Sequence, residues 1–168
     1  MAKILGIDPG RYGAAALMVD GAPTWAAPMP VLQTTKSTGR AKTELDLARL
    51  RDLLDGLPAD TQIVVERVGH RPGDGAAGSF TFGYGAGQLD ALIFACRRPR
   101  TYVTPAVWSK ALGMSAGPDA PLVRASELWP RSTELWTPKR LERTEEQCRG
   151  IADAFLIAEW FHRRMRVC

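Results

Sequence analysis

The fold is decided by the stretch Lys3-Ile4-Leu5-Gly6-Ile7-Asp8-Pro9-Gly10, a short apolar run closed by an acid and a turn dipeptide. Such a run is typical of a buried β-strand that ends in a tight turn. Apolar sequence resumes at Ala14 to Val19, and the Asp20-Gly21 dipeptide after it predicts a hairpin that returns through Thr24 to Pro28. Three antiparallel strands therefore open the predicted fold.

Helices and strands alternate along the rest of the chain. Thr43 and Asp46 have the spacing of a capping box, and leucines follow at helical intervals until Gly56. The later elements are predicted as a strand over 62–68, a mobile glycine-rich loop over 69–79, a helix over 82–96, a strand over 101–104 and helices over 105–112, 122–129 and 144–164. The last helix opens on a second capping box, formed by Thr144 and Gln147. This order predicts an α/β protein with a mixed five-stranded sheet, three antiparallel strands first, and helices on both faces.

The chain has the length and composition of one globular domain. Its 168 residues are 45% hydrophobic and 24% charged, far from the profile of a disordered protein. We therefore expect a single domain over residues 1–168. The net charge is +4 and the pI is about 9.2, which suits nucleic acid or another anionic surface without identifying either.

Cysteine spacing and hydropathy favour a reducing compartment and no membrane. Cys96, Cys148 and Cys168 are odd in number and lack the paired spacing of a zinc site or a disulfide framework. No basic segment followed by a long apolar run opens the sequence, and no stretch approaches the roughly 20 apolar residues of a membrane span. We expect a cytoplasmic protein without a membrane partner.

Three acids lie where core residues are expected. Asp8 ends the first strand, Glu66 interrupts the β-branched run at 62–68, and Asp153 lies within the apolar stretch 150–158. Two unneutralised carboxylates about 4 Å apart repel by roughly 4 kcal/mol at an effective dielectric near 20, so acids that converge need a bound cation. Oxygen ligands without a His or Cys cluster select a hard cation, Mg²⁺ or Mn²⁺, which typically accepts substrate phosphates. The pattern predicts phosphodiester chemistry.

Each acid also has a structural interpretation. Asp8 before Pro-Gly has the place of a turn residue, and Glu66 fits either an edge-strand charge or a partner of Arg67. Asp153 fits an acid that stabilises the dipole near a helix N-terminus, although its apolar neighbours weaken this interpretation. The three acids together carry more information than any one of them.

Ordered segments along nearly the whole chain resemble one known family. They are Ile4-Leu5-Gly6-Ile7-Asp8-Pro9-Gly10 with Gly13, Val65-Glu66-Arg67-Val68, Gly87-Gln88-Leu89, Val103-Thr104-Pro105 with Trp108 and Lys110, Glu127-Leu128-Trp129-Pro130, and Ala152-Asp153-Ala154. In this order they resemble the RuvC family of Holliday junction resolvases, most closely its compact phage and prophage branch. A single Asp-Pro-Gly is a weak signal, whereas the ordered set is strong.

The resemblance implies an RNase H-like fold, a homodimer in the cytoplasm of a bacterium or a phage-infected cell, and metal-dependent endodeoxyribonuclease activity on four-way or branched DNA. It implies Mg²⁺, with Mn²⁺ as a substitute, and no small-molecule cofactor. Asp8, Glu66 and Asp153 match the family's catalytic, metal-binding acids. The further DNA-binding residues that it implies are Lys110, near the scissile phosphate, and Arg71, Phe80 and Phe82, in the segment after Glu66 that enters the junction.

The sequence departs from the family's pattern at two places. The family usually has a fourth acid or a histidine one turn before the last aspartate, where this chain has Cys148, Arg149 and Gly150. None of these is a good ligand for a hard metal, so either Glu145 or Glu146 would have to reach in. A second lysine common in the branch aligns with Pro118, which removes one substrate contact.

Alternatives stay open for single residues and for the function. Phe80 and Phe82 equally fit core or dimer packing, and Lys110 equally fits a solvated helix lysine. The missing fourth ligand favours a first alternative, a non-catalytic junction-binding protein. A second alternative is an enzyme with the same fold that acts on RNA. Sugar-kinase and actin phosphate loops have a similar start, but those proteins need two such domains, for which 168 residues are too few. Small residues around Gly83 and Gly87 predict the helix through which two copies pair.

Overall fold

A five-stranded mixed sheet forms the centre of the fold in the computed structural model, which describes residues 1–35, 39, 41–67, 69, 75–138 and 143–167. With strands numbered along the chain, the spatial order is β3 (Ala22–Pro28), β2 (Ala14–Val19), β1 (Lys3–Asp8), β6 (Gln62–Glu66) and β7 (Arg100–Val103). The strands β1, β2 and β3 are antiparallel neighbours, whereas β6 and β7 run parallel to β1. The predicted sheet is confirmed in strand number and direction.

A separate two-stranded sheet, β4 (Val31–Thr35) and β5 (Ala41–Leu45), follows β3. The sequence-based prediction missed this hairpin and was wrong in placing a capping box at Thr43, which lies in β5 opposite Gln33 and donates to its side chain (Oγ1 to Oε1, 3.2 Å). Polar residues occupy both faces of the hairpin, so its sequence lacks the alternation that marks a strand. Asp46 alone caps the next helix, where its carboxylate accepts a backbone N–H of the first turn (3.1 Å).

The helices follow the predicted order. In the described part of the chain they are α1 (Leu47–Asp55), α2 (Ala76–Ala95), α3 (Pro105–Ala111), α4 (Ala120–Leu128) and α5 (Glu145–Met165), with an unpredicted 3₁₀ turn at Thr133–Trp136. The capping box of α5 is confirmed, because Gln147 N donates to Thr144 Oγ1 (3.3 Å) and Thr144 N donates to Gln147 Oε1 (3.0 Å). Among the described residues, no helix is both long enough and apolar enough to cross a membrane.

Helix α2 begins earlier than the sequence predicts. Residues 76–79, expected in a mobile loop, already form its first turn, so Phe80 and Phe82 lie on a helix. The Phe82 ring lies beside Gly10 in the turn after β1, and this tertiary contact helps to offset the roughly 1 kcal/mol that each helical glycine costs. Arg71 and the rest of 70–74 lie outside the described residues.

Helices cover both faces of the five-stranded sheet, as predicted. Alternate residues of β1 point to opposite sides, so that Ile4 packs with Leu156 of α5, whereas Leu5 and Ile7 pack with the buried leucines of α1 and α2. Each such side chain stabilises the fold by about 1.5–3 kcal/mol when fully buried. The sheet is therefore the middle of three layers, and β1 is buried on both sides.

Two glycines let α5 lie directly on the first strand and on the turn that follows it. A Cβ at Gly6 would overlap the carbonyl oxygen of Ala154 and would lie 2.9 Å from its carbonyl carbon. A Cβ at Gly150 would overlap the carbonyl oxygen of Tyr12. At these two glycines α5 is therefore in contact with backbone atoms of β1 and of the turn after it, and Asp153 lies on α5 between Gly150 and Ala154.

Candidate active site

Strand register places two of the predicted acids side by side. The even-numbered residues of β1 face α5, and Asp8 is one of them. On β6, Val64 faces α5 and Glu66 follows by the same alternation. Because the register pairs Ile7 with Val65, Asp8 and Glu66 stand next to each other at the carboxyl ends of strands about 4.8 Å apart.

Asp8 and Asp153 both line an open cleft of about 930 Å³, which we call the main cleft. Its walls are the turn after β1, the β4–β5 hairpin, the first half of α2 and the first turns of α5. Asp8 enters from the carboxyl end of β1 and Asp153 enters from α5. The structure therefore brings the first and the last of the three predicted acids to one surface.

Glu66 lies in a smaller neighbouring cleft of about 300 Å³, and both clefts are lined by Pro9 and Ala86. Its side chain is buried, and its Oε1 accepts a hydrogen bond from Trp108 Nε1 at 2.8 Å. An indole N–H is a neutral donor, so it orients the carboxylate without cancelling its charge. No pattern in the sequence indicates that Trp108 contacts Glu66.

Replacement of Trp108 by Phe should destabilise the protein through Glu66. The variant keeps an aromatic ring but leaves a buried carboxylate oxygen without this donor, so we expect the free energy of unfolding to fall by about 1.5–3 kcal/mol. Urea denaturation measures the loss. Trp129→Phe is the matched control, because Trp129 Nε1 donates to the neutral carbonyl of Gly21 (3.0 Å) and its loss should cost about 1 kcal/mol. Equal losses in the two variants would contradict a special role for the Glu66 bond.

Positive side chains stand at the rim of the main cleft. Arg11 lies over the Tyr12 ring, with its guanidinium carbon 4.3 Å from the ring centroid. On the hairpin, Lys42 forms an ion pair with Glu44, and hydrogen bonds from Lys42 and Thr34 lower the pKa of that carboxyl group. The sequence-based prediction missed Lys42 because it missed the hairpin, and it did not single out Arg11 in the turn after β1. Cations beside the acids suit an anionic substrate.

Arg149 adds a third cation to the main cleft, four residues before Asp153 on α5. Its Nε donates to Asp119 Oδ1 at 2.9 Å, and a terminal nitrogen lies 3.6 Å from a carboxylate oxygen of Glu145. Residues four apart share a helix face, so the spacing to Asp153 was a signal in the sequence that could have identified Arg149.

The turn of α5 before Asp153 supplies no acid where the resemblance implies a fourth ligand. Cys148 is buried, and burial raises the pKa of its thiol, so it is protonated at neutral pH and is a poor ligand. Gly150 has no room for a side chain. Glu146 does line the main cleft, and hydrogen bonds from its own backbone N–H and from the Thr144 hydroxyl lower the pKa of its carboxyl group.

The predicted DNA-contact residues are not all brought together. Phe80 and Phe82 line the main cleft with Asp8, and Phe80 is 74% exposed and stacked on Tyr84 with 6.3 Å between ring centroids. With that exposure Phe80 is not a core residue of a single chain. Lys110 is exposed at the end of α3 and is not among the described residues that line the main cleft. Arg71 lies outside the described residues.

The ligand atoms that the acids offer are of the type that a hard divalent cation prefers. Asp8 and Asp153 offer carboxylate oxygens at one cleft, and these are ligands that Mg²⁺ prefers. Within the described ranges, no group of three or more His, Cys, Asp and Glu side chains could hold a metal ion together. The metal set of Asp8, Glu66 and Asp153 stays a prediction.

Comparison with solved structures identifies the fold. Thermus thermophilus RuvC in complex with a Holliday junction substrate matches with a TM-score of 0.56 and 18% identity, over 100% of this chain and 98% of that chain. A second T. thermophilus RuvC structure also matches, with a TM-score of 0.49 and 19% identity over 98% of this chain and 96% of that chain. The yeast mitochondrial Holliday junction resolvase Ydc2 matches with a TM-score of 0.49 and 13% identity over 99% of this chain and 81% of that chain. No protein-family model and no curated protein matches the sequence. At such identity the first likeness shows the fold alone, and the chain has the predicted RNase H-like fold of RuvC.

Proposed function

We propose that this protein is a structure-selective endonuclease that hydrolyses phosphodiesters in four-way or branched DNA, acting as a single cytoplasmic domain. The observation that carries the proposal is the meeting of Asp8 and Asp153 at one open cleft, with Glu66 on the adjacent strand. The RuvC that shares the fold is described in complex with a Holliday junction substrate, which supports the same substrate class here. The net charge of +4 supports an anionic partner.

Asp8, Glu66 and Asp153 would hold Mg²⁺, with Mn²⁺ as a substitute. The bound metal would activate water and stabilise the leaving oxygen of the phosphodiester. Two features of the chain support this role for the acids. Backbone contacts hold α5, which carries Asp153, against β1, which carries Asp8, and Trp108 donates a hydrogen bond to one carboxylate oxygen of Glu66. A cation bound there would offset the mutual repulsion of the three carboxylates.

The rim of the main cleft supplies contacts for DNA. Arg11 and Lys42 stand on two different walls and would bind backbone phosphates. Phe80 and Tyr84 form an exposed stacked pair on a third wall, and aromatic faces of this kind bind unpaired bases without regard to sequence. The arrangement suits DNA whose strands are already parted at a branch point.

Cleavage of labelled four-way DNA tests the nuclease. The purified protein is incubated with four-way, duplex and single-stranded DNA and with matched RNA, in Mg²⁺, Mn²⁺ or EDTA. We expect symmetric nicks in four-way DNA with either metal, little cutting of duplex, and none in EDTA. Absence of metal-dependent cutting of every substrate would refute the nuclease, and preferential cutting of RNA would refute the DNA assignment.

A non-catalytic junction-binding protein is the second candidate. It is favoured by two observations within the described residues, namely that no three acids are close enough to share a metal and that Gly150 leaves no space for a further ligand. Such a protein would bind four-way DNA equally well in EDTA and in Mg²⁺, and it would leave the DNA intact in both.

We further propose a homodimer that pairs through α2, which would present two copies of the site to a two-fold symmetric junction. Beyond the Phe80–Tyr84 pair, the exposed face of α2 carries small and apolar residues at helical spacing, namely Gly87, Ala91 and Phe94. A Cβ at Gly83 or Gly87 would meet no described atom within 4 Å, so the close backbone approach predicted for these glycines is not made within the chain. Exposed apolar faces of this kind mark protein interfaces.

Light scattering of an Ala91→Glu variant tests the dimer. We expect the wild type at about twice 18.3 kDa, and the variant at 18.3 kDa at micromolar concentration, because an unpaired charge would be buried between the helices. Ala106→Glu, at an exposed alanine of α3, should leave the dimer intact. A wild type with the mass of one chain would contradict the dimer.

A further inference from the structure

Arg149 stands at the wall of the main cleft, close to the acids. It lies on the same face of α5 as Asp153, and its side chain is 28% exposed, so a bound strand can reach it. Arg11 and Lys42 line the same cleft from the turn after β1 and from the hairpin. Arg149 is therefore the cation of this cleft that shares a helix with one of the acids.

Asp119 holds this arginine and does not cap its own helix. It is the N-cap residue of α4, yet its side chain makes no capping hydrogen bond and its Oδ1 accepts from Arg149 Nε. An aspartate at this position normally accepts a backbone N–H of the first turn, as Asp46 does for α1. The carboxylate of Asp119 thus bonds to the Arg149 guanidinium and not to its own helix.

Because Arg149 bonds to Asp119 through Nε, the N–H groups of its two terminal nitrogens are placed to bind an oxyanion. A guanidinium carries five N–H donors in a rigid fork, and Nε provides one of them. The nearer carboxylate oxygen of Glu145 is 3.6 Å from a terminal nitrogen, which is beyond hydrogen-bonding distance. Paired terminal N–H groups match the oxygens of a phosphate.

We propose that Arg149, positioned by Asp119, binds a backbone phosphate of the DNA strand that crosses Asp8 and Asp153. The inference rests on the proposed function for its substrate. Its structural alternative is an ion pair that only fastens the start of α4 to α5. That alternative predicts unaltered DNA binding and a loss of stability when the pair is broken.

Fluorescence anisotropy with labelled four-way DNA in EDTA, over a series of salt concentrations, tests the inference. Arg149→Met should weaken binding about tenfold and lower the slope of log affinity against log salt by about 0.9, the value for one lost phosphate contact. Arg149→Lys should restore the slope but not the full affinity, because the charge returns without the fork. Asp119→Ala should also weaken binding, although the removal of a negative charge alone would tighten it.

Matched variants on α1 control for charge. Arg51 and Asp55 form an exposed ion pair (3.1 Å) away from the main cleft, so Arg51→Met and Asp55→Ala make the same charge changes and should bind DNA without the losses seen at Arg149 and Asp119. Asp119→Ala should keep a urea midpoint close to that of the wild type, because Asp119 makes no capping hydrogen bond and its ion pair with Arg149 is exposed. Binding by Arg149→Met like that of Arg51→Met, or tighter binding by a destabilised Asp119→Ala, would overturn the proposal.

Cleavage is measured in a separate reaction with Mg²⁺, so that the two proposals fail differently. A protein that binds DNA through Arg149 but never cuts it would refute the nuclease and support the role of Arg149. A protein that cuts four-way DNA, and whose Arg149→Met variant binds like Arg51→Met, would support the nuclease and refute the role of Arg149.

Discussion

Asp8→Asn should leave the protein folded and lower metal-dependent cleavage of four-way DNA at least about 100-fold, a factor that corresponds to about 2.7 kcal/mol of transition-state stabilisation. Asparagine has nearly the same shape as aspartate, but it has no negative charge with which to hold a divalent cation. The rate under single-turnover conditions with saturating Mg²⁺ measures the effect. Binding of the DNA in EDTA should be kept or tightened, because a charge that repels phosphate is removed.

Asp20→Asn is the control for this substitution. Asp20 lies in the turn between β2 and β3, where its carboxylate accepts the Ala2 backbone N–H at 2.7 Å and its φ of 50° is one that asparagine adopts readily. Its cleavage rate should match that of the wild type. Equal rates for Asp8→Asn and Asp20→Asn would remove Asp8 from the catalytic site.

Gly6→Ala should destabilise the protein by about 3 kcal/mol or more, a large part of the total stability of a small domain. The added methyl group would overlap the carbonyl oxygen of Ala154 and would lie 3.1 Å from the backbone nitrogen of Ala158, so α5 would have to move away from β1. Backbone atoms on both sides leave no flexible side chain that can yield. The midpoint of urea denaturation, compared at equal m-value, measures the loss.

Gly78→Ala is the matched control on α2. A Cβ at Gly78 meets no described atom within 4 Å, and alanine favours a helix over glycine by about 0.5–1 kcal/mol, so this variant should be as stable as the wild type or slightly more stable. If Gly6→Ala denatured at the same urea concentration as Gly78→Ala, the close contact between β1 and α5 would be disproved.

The parts of the fold that the sequence predicted are those with strong local signals. The hairpin at Asp20-Gly21 is confirmed with φ values of 50° and 82°, the left-handed values that this dipeptide favours. The capping box of Thr144 and Gln147 is likewise formed between neighbours. The β4–β5 hairpin was missed because its polar faces gave no alternation, and the leucines of α1 made Thr43 look like a helix start.

The candidate site was predicted only in part. Its acids can be recognised in the sequence because they interrupt apolar segments, whereas the residues that bond to the site have no such local signal. Trp108 is 42 residues from Glu66, and Arg149 is 30 residues from Asp119. Such pairs form only once α3, α4 and α5 have packed on the sheet, and no local pattern encodes them. The spacing of Arg149 and Asp153 on one helix face is the exception, since it could have been recognised from the sequence alone.

The backbone contact at Gly6 has a consequence for how this protein tolerates sequence change. Because main-chain atoms are already in contact there, smaller side chains elsewhere in the core cannot draw β1 and α5 closer together at this point. We therefore expect shortening of a neighbouring core residue such as Leu156 to leave a cavity in the core while the contact at Gly6 is kept.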